Sequence, residues 1–203
     1  MTRSSVTASN LFSLSSSEIS AWNGWELDKD WALNFKFKKA ASNYSYLFAF
    51  DINSTSHYTK MVSFETAPSE YRFRLKHYAG TPGGQFSFNI PYTTVSAADV
   101  QWLFSYNKQN YTAGGGDNDP VWSTTTNGAG LSVYYRMSTN GGTSYGSWTQ
   151  ITIGTENITE ATVVVKHQSG MFGKSAQHGY PLLSGSEVTD IQMWNTTRLT
   201  SEI

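Results

Sequence analysis

Glu26-Leu-Asp-Lys-Asp30 sets three carboxylates on alternate residues between two tryptophans, Trp25 and Trp31. In an extended strand Glu26, Asp28 and Asp30 share one face, which is the arrangement a nucleophile, a helper and an acid need to cleave a glycosidic bond. The same residues also make an ordinary solvated acidic turn. Nothing else in the chain completes a hydrolytic or metal-dependent site: histidines stand singly at 57, 77, 167 and 178, and no H-E-x-x-H spacing occurs. The chain is therefore read as non-enzymatic, with no catalytic residue assigned.

Two further groups suit binding. Asp117-Asn118-Asp119 offers hard oxygen ligands on a stretch that Gly114–Gly116 leave free to bend, the chemistry Ca²⁺ prefers. An Asp-Asn-Asp-Pro turn explains the same residues without a metal, so Ca²⁺ is the one cofactor to expect, if any. Trp122, Tyr145, Phe172 and Tyr180 are aromatic rings in otherwise polar stretches, with His178 beside the last of them. Such rings stack on the apolar faces of pyranoses while polar neighbours bond the hydroxyls. The bland alternative for each ring is to cap an end of the core.

Composition limits the field. The chain has 203 residues, no cysteine, a formal net charge of −1, 15% aromatic and 14% charged residues. Near-neutral charge argues against nucleic acid as a partner, and the absence of cysteine rules out a disulfide framework or a thiolate site. The apolar runs are too short to be membrane-spanning helices. Residues 1–20 lack the basic start and apolar middle of a signal peptide, so a secreted product needs another route out.

The elements that must position these residues are strands. Trp31, Leu33, Phe35 and Phe37 alternate with Ala32, Asn34, Lys36 and Lys38, which predicts one buried and one solvated face. Further strands are expected at 11–14, 46–50, 61–64, 71–75, 86–90, 100–106, 131–137, 148–153, 161–166 and from Val188 to Met193, with no helical periodicity anywhere. This count predicts an all-β protein, a jelly-roll sandwich of two antiparallel sheets. Long connections are expected at 111–130, 138–147 and 167–186. Thr200 is placed to cap a helical turn over 201–203, with Leu199 and Ile203 forming an apolar plug. Lys36, Lys38, Arg72, Arg74 and Lys76 point away from the predicted core, and form one basic stripe if their strands are neighbours.

Asp190-Ile-Gln-Met-Trp-Asn195 followed by Leu199-Thr-Ser-Glu-Ile203 resembles the closing strand of laminin-G-like domains in the concanavalin A-like lectin/glucanase superfamily. Val100-Gln-Trp-Leu-Phe-Ser-Tyr106, after Asp99, is similar to another strand of that family. The resemblance implies a concanavalin A-like sandwich over residues 11–203. Glu26-Leu-Asp28 also resembles the active-site strand of β-glucanases on this fold, but Asp30 replaces their last Glu and the motif lies far from mid-chain. Residues 1–10 read as a polar arm with no apolar surface beyond Val6. Thr2, Arg3, Val6 and Asn10 are its candidate contacts to other virion proteins or to copies of itself, a trimer among them. The leading expectation is a structural protein displayed on a virion surface and made in a host cytoplasm. The alternative is an extracellular glycan-binding lectin or adhesion module.

Overall fold

Trp102 and Phe104 belong to β8 (Asp99–Tyr106), which pairs with β3 (Trp31–Lys38) over its whole length, from Trp31 opposite Tyr106 to Lys38 opposite Asp99. This pair is the centre of the first sheet. The computed structural model describes residues 2–7, 12–15, 30–51, 60–77, 84–107, 131–152, 169–172 and 180–203. On one flank of the central pair lie β12 (Glu187–Trp194) and β1 (Thr2–Thr7); on the other lie β9 (Leu131–Ser138) and β10 (Thr149–Gln150). The second sheet runs in the order β2 (Phe12–Ser15), β11 (Ser169–Phe172), β4 (Ser45–Asp51), β5 (Lys60–Thr66), β6 (Glu70–His77), β7 (Gly84–Pro91). Every pairing is antiparallel, so the architecture is an all-β two-sheet sandwich, as the alternating pattern predicts.

Alternation brings the rings inward. Phe35, Trp102 and Phe104 come from the first sheet and meet Phe48, Phe64, Tyr71 and Phe73 from the second, all fully buried. Phe64 touches Trp102 at 4.9 Å and Phe104 at 5.0 Å between ring centroids, both edge-on. Edge-to-face pairs of this kind add about 0.5–1.5 kcal/mol each beyond the area they bury.

Four expectations are corrected. Residues 2–7 are not a free arm: Thr2 pairs with Gln192 and Arg3 with Ile191, Val6 is fully buried opposite Val188, and Ser5 donates to the Glu187 carboxylate. Backbone pairing to β12 supplies the contacts that this polar segment cannot generate from its own side chains. Asn10 lies outside the described residues. The segment 167–186 holds a strand, β11, inserted between β2 and β4. At the C-terminus, Leu199 occupies the cap position of the 3₁₀ turn Thr200–Glu202 and is 67% exposed, so it forms no apolar plug. There Glu202 closes the turn, its carboxylate accepting from the Leu199 N–H at 2.6 Å and pairing with Arg198. The predicted strand at 148–153 is reduced to Thr149–Gln150, and that at 161–166 lies outside the described residues.

Deleting residues 1–7 removes Val6 from the core and bares the β12 edge. The expected loss is about 2 kcal/mol or more, read as a lower urea midpoint; an unchanged midpoint would show that β1 adds nothing to the sheet. A second expectation concerns alkali. Burial pushes the Tyr71 phenol well above its ordinary value and Tyr92, packed edge-on against it at 5.0 Å, up to about 12. Above pH 10.0 the unfolded chain releases these protons while the folded chain keeps them. Stability is then whole below pH 10.0 and falls as pH rises through about 12. Phenolate absorbance should show these tyrosines titrating together with unfolding.

Candidate functional site

The outer face of the second sheet carries the exposed aromatic surface. Tyr180 is 50% and Tyr44 38% exposed, with ring centroids 5.8 Å apart and planes tilted by 37°. Local chemistry fixes both. Leu182 is buried in the core and anchors the segment that follows Tyr180. The Tyr180 carbonyl accepts from the Tyr46 N–H at 3.2 Å, and the Pro181 carbonyl accepts from Ser45 Oγ at 3.1 Å. Tyr44 sits in a bend where Asn43 Oδ1 accepts its N–H at 2.8 Å, while the Asn43 carbonyl accepts from Thr66 Oγ1 at 2.6 Å. The chain at both rings is thus held by backbone contacts, and the Tyr44 hydroxyl is also hydrogen-bonded to Arg72.

Charged groups adjoin the rings. The Arg72 guanidinium lies 5.5 Å from the Tyr44 ring and pairs through Nε with Glu70 at 2.6 Å. Beneath Tyr180 lies the Tyr46 ring at 6.3 Å, its phenol bonded to Glu65. Burial first, and the Glu65 charge second, hold that phenol far above its ordinary value, so it is a fixed hydrogen-bond donor at any physiological pH. Glu65 in turn pairs with Arg74 at 3.1 Å. The arrangement is two adjacent, accessible ring surfaces with balanced charges at their border.

The outer face of the first sheet is closed by comparison. Asn34 Nδ2 donates to Gln192 at 3.0 Å, Gln101 Nε2 donates to Asn34 at 2.9 Å, and Arg136 Nε donates to Gln101 at 2.8 Å. This row crosses four strands with Asn34 and Gln101 buried, which is why the predicted solvated face of β3 is half hidden. Tyr145 lies over it as a half-buried wedge between Lys36 at 5.5 Å and Arg136 at 5.7 Å, with Arg136 also 4.6 Å from the Trp148 ring. Burial, then Asp99 and Asp190, raise its phenol. Lys36 pairs at 2.6 Å with Asp190, a residue at φ 51° where β12 bulges between Thr189 and Gln192.

Of the residues singled out from sequence, Tyr180 is an accessible ring and Tyr145 is a wedge. Phe172 is neither: it is a β11 core residue, fully buried and 6.2 Å from Phe48, because the segment that carries it is a strand. Trp122, His178, Asp117, Asn118, Asp119, Glu26 and Asp28 lie outside the described residues, and Asp30 is half-buried just before β3. Among the described residues no three acidic or histidine side chains are grouped as metal ligands. The single basic stripe is corrected as well. Lys36 and Lys38 belong to one sheet and Arg72 and Arg74 to the other, so these charges lie on opposite faces. Tyr44 was missed by sequence reasoning. Its signal is a tyrosine in the polar break Ala41-Ser-Asn43, directly before a strand.

No protein-family model matches the chain, and no curated protein sequence matches it. Solved structures do. The CBM40 of the Ruminococcus gnavus IT-sialidase bound to α2,3-sialyllactose is similar with a TM-score of 0.57 at 10% identity, over 100% of this chain and 95% of that one. The same module bound to α2,6-sialyllactose gives 0.56 at 12% identity with the same coverage. The leech intramolecular trans-sialidase gives 0.58 at 12% identity, over 100% of this chain and 26% of that one. At such identities the likeness is one of fold: this chain is a two-sheet antiparallel jelly-roll sandwich, as those modules are.

Proposed function

We propose that this chain is a non-catalytic glycan-binding module whose recognition surface is the Tyr44–Tyr180 pair. The observation that carries the reading is two neighbouring, accessible rings held by backbone hydrogen bonds, with Arg72 and Glu70 at their edge. A sugar ring presents C–H groups to such a surface and hydroxyls to the charged border, so apolar area and hydrogen bonds act together. Rigid rings lose little freedom on binding, and more of the contact energy survives as affinity. The two carboxylates of this border, Glu65 and Glu70, are each paired with an arginine, which suits orientation of a ligand better than proton transfer. The likeness to modules seen with sialyllactose supports including sialylated glycans among the ligands to try. The laminin-G-like tail belongs to the same reading, as a mark of the lectin-like sandwich. The glycan reading takes precedence over the virion one because the solved structures that share this fold include modules seen with sialyllactose, and residues 2–7 pair with β12 of their own sheet rather than standing free as an arm.

An array of neutral and sialylated glycans should give hits. Tyr180→Ala should weaken them by about 1 kcal/mol, roughly five-fold in Kd, with the melting temperature nearly unchanged because the ring is half exposed. Tyr180→Trp should retain binding. Hits indifferent to both Tyr44→Ala and Tyr180→Ala, or no hits at all, would remove the platform from consideration.

A further inference from the structure

We infer that the glycan site does not stop at the tyrosine pair but runs across the second sheet into a cleft at its β7 edge, which takes the uncharged inner residues of an oligosaccharide. The inference rests on the glycan reading and extends it to ligand length and charge.

One cross-strand row makes the connection. Tyr46 pairs with Glu65, Glu65 with Arg72 and Arg72 with Asn89, stepping from β4 to β7. Three strand spacings of about 4.8 Å place the ends of this row about 14 Å apart, a distance for an oligosaccharide and too long for one sugar. Arg72 serves both ends, close to the Tyr44 ring and directly opposite Asn89. At Asn89 the sandwich opens into a cleft of about 310 Å³ between the end of β7 and the β9–β10 edge. Its floor is Ile90, Ile151 and Tyr135, whose hydroxyl donates to the Thr94 carbonyl at 3.4 Å. Its rim is Asn89, Thr94, Thr149, Gln150 and Thr152, all exposed. Among the described residues no charged side chain lines it. A neutral polar rim over a partly apolar floor fits a hydroxylated, uncharged ring and gives an acidic one no counter-charge.

The test is titration calorimetry with lactose and lacto-N-neotetraose, each with and without a terminal N-acetylneuraminic acid. For the wild-type chain the longer backbone should bind about ten-fold tighter than the shorter within each pair. In Asn89→Ala/Gln150→Ala the gain from length should vanish, with the affinity for the short sugar unchanged. Thr149→Trp, which adds bulk at the exposed rim, should act alike. Tyr180→Ala should weaken both lengths equally. Binding that depends on Tyr180 but not on length overturns the cleft and leaves the platform standing. Length dependence lost in the cleft variants, with the affinity for both lengths unchanged by Tyr180→Ala, overturns the platform and the continuous track. No binding of any of the four sugars overturns both.

Discussion

Contact between the rings of the two sheets is the constraint on which everything else depends. Phe104 alone lies within 6.2 Å of Phe35, Phe48, Phe64 and Phe73, so it joins both sheets at their centres. A register slip of one residue in any central strand would turn its rings outward and bring its polar set into the core. The outer-face rows exist only because this register is held. The same locking that buries Trp102 and Phe104 puts Gln101 beside Asn34 and Arg136, and the locking of Phe64 and Phe73 puts Glu65 and Arg72 in one line.

The two outer faces use that register differently. On the first sheet, amide and guanidinium groups satisfy one another along the row Gln192, Asn34, Gln101 and Arg136, and Tyr145 and Trp148 lie close to its cationic members. Polar groups so well partnered have little left to offer a ligand. On the second, carboxylate and guanidinium pairs hold the charges in place while the Tyr44 and Tyr180 rings remain accessible. An accessible aromatic surface beside fixed charges is the commoner design for recognition.

Much of the architecture was legible in the sequence because ring alternation is a local signal. β3, β6, β7 and β8 announce themselves by their own residues, although β6 and β7 run one or two residues beyond the expected bounds. β1 does not, since Thr2-Arg-Ser-Ser-Val-Thr7 has one apolar side chain and its partner lies at the other end of the chain. β11 was hidden for the same reason: Ser169-Gly-Met-Phe172 is short and gains its place only between β2 and β4. The site was half legible. Tyr180 reads as an exposed ring in a polar stretch, whereas its pairing with Tyr44 depends on Leu182 drawing residues 180–182 toward the bend at Asn43. The basic stripe failed because alternation says which way a side chain points and nothing about which sheet its strand joins.

The position of β12 carries a consequence for how the molecule comes into being. It lies between β1 and β3, so among the described strands β1 is joined to its sheet only through β12. A growing chain can close β4 through β7 as successive antiparallel neighbours while still emerging, yet β1 has no partner until residues 187–194 are free. Pairings this distant in sequence make folding slow. During synthesis β4 to β7 of the second sheet therefore have a head start, and completion of the first sheet waits until residues 187–194 have emerged. Any truncated product ending before Glu187 leaves β3 with an open edge and β1 unattached, the kind of bare strand edge that promotes aggregation.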